Sequence, residues 1–335
     1  MCSITLIIPC FNEEKTIERC VQSSLDQTCP FDEIIVVDDA STDKSPEILE
    51  KFKEKITVIR NKKNKGAKSY ALEEGFKHIK TTWFVTTDAD TYLDKHFLEE
   101  LRKYFFDEEV VAVSGYIKSQ KGNWLTSIRD LEYFIAQSVH KKAQNIINAF
   151  LVIPGCAAAY NTEFFRKNIG FTHKTCAEDM EFTYKINLHR KRIRYTEKAI
   201  VHTQDPSDLG SYIKQLRRWY KGSWQNFFAH FRNLNRTLYS FELALSYFEA
   251  LFLSLAFFIM ALINIKGFFI MIALQLCFYF IFALVNAYKY KKARILIYVF
   301  LTPIVFGINS YLFIEQFFAS MSKNKTTKWV SPRRT

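Results

Sequence analysis

Trp83-Phe84-Val85-Thr86-Thr87-Asp88-Ala89-Asp90 is an apolar run that ends in two carboxylates. Its first five residues read as a buried strand, and the acidic triplet falls where that strand would end. The same pattern stands at Ile4–Ile8, at Glu33–Asp38 with its Ile-Ile-Val-Val centre, at Ile56–Arg60 and at Val110–Gly115. Helices are expected between them at Thr16–Ser24, from Ser45-Pro46 onward, at Ala67–Lys77 and at Lys95–Phe106. Ser45 reads as a helix cap and Pro46 as a first-turn residue. Strands alternating with helices predict an α/β domain on a parallel sheet covered on both faces.

In open sheets of this kind, ligands bind beyond the carboxyl ends of the strands. Asp38-Asp39 and Asp88-Ala89-Asp90 both fall at such ends. Carboxylates gathered on one edge repel one another without a cation. Hard oxygen donors suit Mg²⁺ or Mn²⁺ shared with substrate phosphates. One acidic turn would be an ordinary solvated loop; two at equivalent strand ends favour a site. Glycine-rich phosphate loops are excluded, because Gly66 is the only glycine before Gly75. Lys65 and Lys68 are the side chains available to meet phosphate.

After a mixed region at 116–236 come three apolar stretches, Leu243–Ile265, Phe268–Tyr288 and Ile295–Met321. As helices they would be about 35, 31 and 40 Å long, against a hydrocarbon core of about 30 Å. The chain is therefore expected to divide into a cytosolic domain at 1–236, a membrane region at 237–322 and a basic tail at 323–335. Within the first, 1–115 reads as the nucleotide-binding half and 116–236 as the acceptor-binding half. The basic loop Lys289–Arg294 is expected on the cytosolic side. Pro303, Gly307 and Asn309 interrupt the third stretch, which is expected to be interfacial or re-entrant. No signal peptide is expected, since Met1-Cys2-Ser3 runs directly into a strand.

The formal charge is +12, with basic clusters at Arg190-Lys191-Arg192 and Arg217-Arg218. Beside apolar spans, that charge points to anionic lipid and a phosphate-bearing substrate, and no nucleic-acid partner is expected. Seven cysteines, at 2, 10, 20, 29, 156, 176 and 277, include no C-x-x-C pair. That speaks for a reducing compartment and against a disulfide framework or structural zinc. In Cys176-Ala177-Glu178-Asp179, an acid in a basic neighbourhood is a candidate general base. The alternative is that Glu178 and Asp179 pair with Arg190 or Arg192. In Gln215-Leu216-Arg217-Arg218-Trp219, Trp offers a flat face to a sugar ring and Arg a charge to a diphosphate. The alternative there is an amphipathic helix lying on a bilayer.

In their order, these motifs resemble family-2 glycosyltransferases of the GT-A fold. The likeness is greatest to the membrane-integrated branch with hyaluronan, poly-N-acetylglucosamine and cellulose synthases. Ile7-Ile8-Pro9-Cys10-Phe11-Asn12-Glu13 is similar to the opening strand and turn of that family. Val37-Asp38-Asp39-Ala40-Ser41-Thr42-Asp43 resembles its uracil-binding turn. The stretch from Gly66 through Lys68 to Leu72 resembles the diphosphate-approaching motif. Thr87-Asp88-Ala89-Asp90 is similar to the metal-binding D-x-D. Ala177-Glu178-Asp179 resembles the T/S-E-D motif, with Ala177 in place of the usual hydroxyl residue. Gln215, Arg218 and Trp219 fit Q-x-x-R-W, and Trp329-Val330-Ser331-Pro332-Arg333 resembles a tail motif.

The resemblance implies inverting, metal-dependent transfer of a sugar from a nucleotide-sugar, UDP-linked by expectation, to a glycan or lipid-linked acceptor. Asp39 would bind the base with Phe11 beside it, in a pocket that Pro9 and Glu13 help to shape. Lys68 would approach the diphosphate, and Asp88 the ribose or diphosphate side. Asp90, with Asp88, would hold Mg²⁺ or Mn²⁺. Asp179 would be the catalytic base, next to Glu178. Gln215, Arg218 and Trp219 would seat the acceptor. Polysaccharide synthesis is the leading expectation, with single-sugar transfer to polyprenyl phosphate as the alternative. A non-catalytic transporter or nucleotide-sugar sensor is the alternative of another class. A second copy or a partner subunit is an open expectation.

Overall fold

The computed structural model describes residues 2–120, 122–230, 237–291 and 293–321. Its elements run β1 Ile4–Cys10, α1 Ile17–Leu25, β2 Glu33–Asp38, α2 Ser45–Glu50, β3 Thr57–Arg60 and α3 Lys68–Lys77. Then come β4 Trp83–Thr86, β5 Thr91–Leu93, α4 Phe97–Arg102, β6 Val110–Ser119, α5 Trp124–Ile135, α6 Lys141–Ile147, β7 Ala158–Asn161 and α7 Thr162–Phe164. The chain continues with α8 Glu178–Leu188, β8 Arg192–Thr203, α9 Leu209–His230, α10 Leu238–Ile263, α11 Ile265–Tyr290, α12 Ile295–Tyr298 and α13 Thr302–Met321. They form two compact units. The first joins residues up to Lys118 with Lys141–Gln204; the second joins Ser119–His140 with the helices after Asp205.

The first unit holds an eight-stranded sheet in the order β3-β2-β1-β4-β7-β6-β8-β5. β2, β1 and β4 are parallel neighbours, as are β3 and β2. β7 then runs antiparallel to both β4 and β6, and β5 runs antiparallel to β8. The parallel half is the one predicted from alternation. The fifth predicted strand, β6, extends four residues further and is separated from β4 by β7. The short strand β5 was not anticipated. It takes residues at the head of the stretch expected to lead into a long helix, and α4 is only six residues long.

Alternation along the strands loads both faces. Ile7, Ile35 and Val37 meet Leu72 and Phe76 of α3 in one cluster, which also takes Phe165, Phe182 and Ile186. Ile4, Leu6, Ile8, Ile34 and Val36 have the other parity and are equally buried. The helix α3 lies close on the strands because of Gly75. A Cβ there would stand 2.8 Å from Ile7 Cγ2 and 3.1 Å from Val37 Cγ2.

Ser45 differs from its expected role. It is the first residue of α2, and its hydroxyl accepts the Glu13 N–H at 2.9 Å. It thus ties two loops together instead of capping a helix.

In the second unit, α9 packs along α13, α13 on α10 and α10 on α11. Asn123 caps α5, its Oδ1 accepting the N–H groups of Leu125 and Thr126. Among the described residues, three helices are long and apolar enough to cross a membrane: Leu238–Ile263, Ile265–Tyr290 and Ile295–Met321. Phe248, Phe252, Leu262, Ile270 and Leu274 are among the many apolar side chains they leave exposed. The first starts five residues before the expected stretch, capped by Thr237. The third carries a 3-10 turn at Val299–Leu301. Pro303 accounts for it, because proline lacks the N–H and its ring crowds the preceding turn. Gly307 and Asn309 lie within continuous helix.

Candidate active site

The site begins where β1 and β2 end. Pro9 sits in β1 beyond the last residue paired with β4, so its missing N–H leaves no gap in that ladder. The two loops that follow are laced together. Ser41 Oγ accepts the Asn12 N–H at 2.9 Å, and Asn12 Oδ1 accepts the Thr42 N–H at 2.8 Å. Asp43 Oδ2 accepts the Glu14 N–H at 2.9 Å. Both turns use left-handed backbone at non-glycine residues, Asn12 at φ 56° and Ala40 at φ 61°.

The paired acids here have separate fates. Asp38 is buried and structural: Oδ1 accepts the Ser41 N–H at 2.9 Å, and Oδ2 lies 3.2 Å from Arg60 Nε. Asp39 accepts a hydrogen bond from Asn61 Nδ2 at 2.6 Å. Burial pushes its pKa up, against the Asn61 and Lys65 hydrogen bonds that favour the anion. Phe11 is half-buried in the adjoining turn. Glu13 is buried; its carbonyl accepts the Thr16 and Ile17 N–H groups at the start of α1, and its carboxylate accepts the Thr16 hydroxyl at 3.0 Å.

A second cluster forms where β4 ends. Lys68 opens α3 and places its ammonium against Asp88 Oδ1, with Glu178 Oε1 at 3.5 Å. Burial works against that charge. Asp88, then Glu178 and Asp179, outweigh it and hold the ammonium well above the ordinary lysine range. Asp90 is buried and accepts the Thr91 hydroxyl at 3.1 Å. Glu178 therefore faces Lys68, and the alternative pairing with Arg192 is not made; Arg192 sits 2.8 Å from Glu109.

Asp179 stands in the first turn of α8, where the helix N-terminus favours a negative charge. Its Oδ1 accepts the Met180 N–H at 2.8 Å and its Oδ2 the Gly155 N–H at 3.2 Å. The Gly155 segment is fixed in turn by β4. Thr86 Oγ1 donates to the Gly155 carbonyl at 2.7 Å, and Thr87 Oγ1 to the Cys156 carbonyl at 3.0 Å. A Cβ at Gly155 would lie 3.1 Å from Lys68 Nζ and 3.5 Å from Asp179 Cβ. This glycine thus keeps open the space between the lysine and the acid. Sequence reasoning missed it, although Pro154-Gly155 was a legible turn signal.

Two further residues were missed. His173, at φ 52°, stacks on Tyr70 with centroids 3.7 Å apart and hydrogen-bonds Ser69 and Glu73. It fixes the segment before α8 onto α3. Lys141 is buried and donates to Ser114 Oγ at 2.8 Å. Burial pushes its pKa down to about 7, with Cys156 and Asp179 pulling the other way.

The metal expectation meets a suitable donor set. Asp88 and Asp90 present two hard carboxylates at one strand end, and Mg²⁺ or Mn²⁺ commonly takes one or two carboxylates plus substrate phosphates. No cluster of three or more His, Cys, Asp or Glu side chains fit to hold a metal occurs among the described residues. Further ligands would have to come from the substrate. All seven cysteines are free.

Gln215, Arg218 and Trp219 lie on α9, in the second unit. Arg217 is committed to Glu315, at 2.8 and 3.0 Å. Arg218 has no ion-pair partner among the described residues. Trp219 packs on the guanidinium of Arg129, 4.4 Å from the ring centroid. Arg129 is buried, also faces Tyr133 and Tyr212, and pairs with Glu132 at 2.8 Å, with Asp205 at 3.9 Å. Tyr133 donates to Asp205 at 2.9 Å, and Asn309 of α13 donates to Glu132 at 3.2 Å. The tail motif at Trp329–Arg333 lies outside the described residues.

Residues 5–168 match the family described as Glycosyl transferase family 2. The hyaluronan synthase of Streptococcus pyogenes is 32% identical over 238 residues, 65% of this chain and 56% of that protein. The poly-beta-1,6-N-acetyl-D-glucosamine synthase of Staphylococcus epidermidis is 27% identical over 227 residues, 65% of this chain and 54% of that protein. The chain thus spans about half the length of the curated relatives it matches. Among solved structures, the mannosyltransferase PcManGT from Pyrobaculum calidifontis, in complex with GDP-Man and Mn²⁺, superposes with a TM-score of 0.71 at 20% identity. That alignment covers 96% of this chain and 87% of the other. S. aureus TarS gives 0.53 at 21% identity, over 79% and 45%. These structures share the fold.

Proposed function

Because the chain carries a family 2 glycosyltransferase domain of the GT-A fold, we propose that it transfers a sugar from a nucleotide-sugar to a glycan or lipid-linked acceptor, with inversion, in polysaccharide synthesis. The observation that carries this reading is the Lys68 cluster. One ammonium touches Asp88 on the donor side and Glu178 on the base side, and Gly155 separates it from Asp179. Donor charge and acceptor base are then served from one place.

Asp39 takes the edge of the donor's base, a uracil by preference, with Phe11 beside the ring; Pro9 and Glu13 set the shape of that turn. Asp88 and Asp90 would hold Mg²⁺ or Mn²⁺ against the two phosphates; when bound, such a cation neutralises charge developing on the departing nucleoside diphosphate. Lys68 exchanges Asp88 for a phosphate oxygen. Asp179 accepts the proton of the acceptor hydroxyl while that oxygen bonds to the anomeric carbon. The bond from that carbon to the diphosphate oxygen breaks on the opposite face, which inverts the centre. Gln215, Arg218 and Trp219 serve the acceptor. The apolar helices anchor the chain in a membrane, with the first unit in the cytosol.

The test is nucleotide release from UDP-glucose, UDP-N-acetylglucosamine, UDP-glucuronate and GDP-mannose, with and without Mg²⁺ or Mn²⁺, followed by sizing of the labelled product. A polymer is expected. A single sugar on polyprenyl phosphate would replace the polymerase reading, and no metal-dependent release from any donor would overturn the transferase reading.

A further inference from the structure

The second unit contains a cavity of about 420 Å³ that takes no part in the chemistry above. It lies between the start of α5 and the connection from α11 to α12. Asn286, Lys291 and Arg294 line it from one side, and Thr126, Ser127 and Asp130 from the other. Asn286 stands four residues before the end of a mostly apolar helix and is 2% exposed. Its side-chain amide has no hydrogen-bond partner among the described residues, yet it borders the cavity. That amide is open to whatever fills the cavity.

The surrounding charge says which kind. Lys291 caps the end of α11 in the left-handed conformation, φ 53°. Neither Lys291 nor Arg294 has a carboxylate within ion-pair distance among the described residues. Among the described residues on the wall, Lys291 and Arg294 are the cations and Asp130 is the carboxylate. The hydroxyls of Thr126 and Ser127 already donate to the Asn123 carbonyl, at 3.1 and 2.8 Å. The donors left for a ligand are an ammonium, a guanidinium and an amide, and they suit a phosphate.

Position selects the source. At 26 residues, α11 is about 39 Å long, more than the hydrocarbon thickness of about 30 Å. A cavity at its last turn falls at headgroup level, where basic pockets between helices meet lipid phosphates. We propose that this cavity binds the phosphate-bearing headgroup of a membrane lipid, with Lys291 and Arg294 on the phosphate and the Asn286 amide as a neutral donor. The proposal rests on reading α10 and α11 as membrane spans.

The test uses the full chain in phosphatidylcholine vesicles with a minor fraction of spin-labelled phosphatidylglycerol. The selectivity of the immobilised component is the readout. Lys291→Gln with Arg294→Gln should lower it about tenfold, as expected for lost charge-assisted hydrogen bonds. Asn286→Leu should lower it by a smaller factor, and Lys289→Gln, in the last turn of α11 but off the cavity wall, should leave it unchanged. Equal weakening by Lys289→Gln would mean diffuse surface charge and would overturn the site, as would unchanged selectivity in the double variant. Displacement of the label by inorganic phosphate would assign the cavity to a soluble ligand and overturn the lipid. Alkaline carbonate extraction separates the two readings. Release of the chain would overturn the membrane assignment itself, whereas retention with unaltered selectivity overturns the headgroup site alone.

Discussion

Lys68 in the first unit and Arg129 in the second are both cations set among carboxylates, and they are held in opposite ways. Lys68 is a point charge on a flexible stem, and the Asp88 side chain it touches is 36% exposed. Arg129 is a planar fork, 7% exposed, with Glu132 and Asp205 beside it and three aromatic rings around it. An ammonium can leave one oxygen for another as a ligand arrives, whereas a caged guanidinium keeps its geometry. The region expected to exchange ligands is built on a movable charge. The region behind Trp219 is built on a fixed one.

The largest effect expected of any single change concerns the chemistry served by the movable charge. Asp179→Asn should keep nucleotide-sugar binding by calorimetry and reduce transfer by about 10²–10⁴-fold, the usual worth of a general base. Wild-type turnover in that variant would remove the base from the comparison. Next comes the fixed cation. Arg129→Leu takes the cation from the buried Asp205 and the half-buried Glu132, and should lower stability by about 3–5 kcal/mol in denaturant unfolding. A loss below about 1 kcal/mol, the worth of an exposed pair, would show that the cage is not what holds this region.

Lys68→Met should be milder, about 1–2 kcal/mol once the exposure of Asp88 is allowed for. Its signature is recovery: Mn²⁺ should raise the melting temperature of this variant more than that of the native chain. Equal metal responses would mean that Lys68 and the cation do not serve the same carboxylates.

Lys141 extends the contrast, because among the described residues its ammonium hydrogen-bonds a hydroxyl and no carboxylate, and its pKa falls to about 7. Above that value, up to the ordinary 10.5, the unfolded chain holds a proton that the folded chain has released. Stability therefore rises with pH across this window, by at most about 1.4 kcal/mol per unit. Lys141→Met should flatten that slope, as read from urea midpoints at either end of the window. A slope that survives would place the buried proton elsewhere.

The parallel half of the sheet was legible because its strands are runs of Ile and Val between turn residues. The antiparallel half was not. β7 is Ala-Ala-Tyr-Asn and β5 is Thr-Tyr-Leu; both are strands only because β4 and β8 offer them partners. The acids of the candidate site were legible by type, and Asp39, Asp88 and Asp90 also by their place at strand ends; that Asp179 stands at the start of a helix was not legible. Their partners were not. Nothing near Gly155 in the chain announces that Lys68 and Asp179 will close on it, and Arg129 reads as an ordinary helix charge until Trp219, Tyr212 and Asp205 gather around it. Local pattern specifies elements, whereas a buried polar group is defined by neighbours distant in sequence.

Asn264 is at once the last cap of α10 and the first cap of α11, its Oδ1 accepting the Gly267 N–H at 3.0 Å. If these helices cross a bilayer, a single residue is all that separates them on that side. An insertion apparatus would then receive the pair as one object, since neither helix has slack to enter before the other. A protease or a glycan-attaching enzyme working on that surface would find almost no chain to reach.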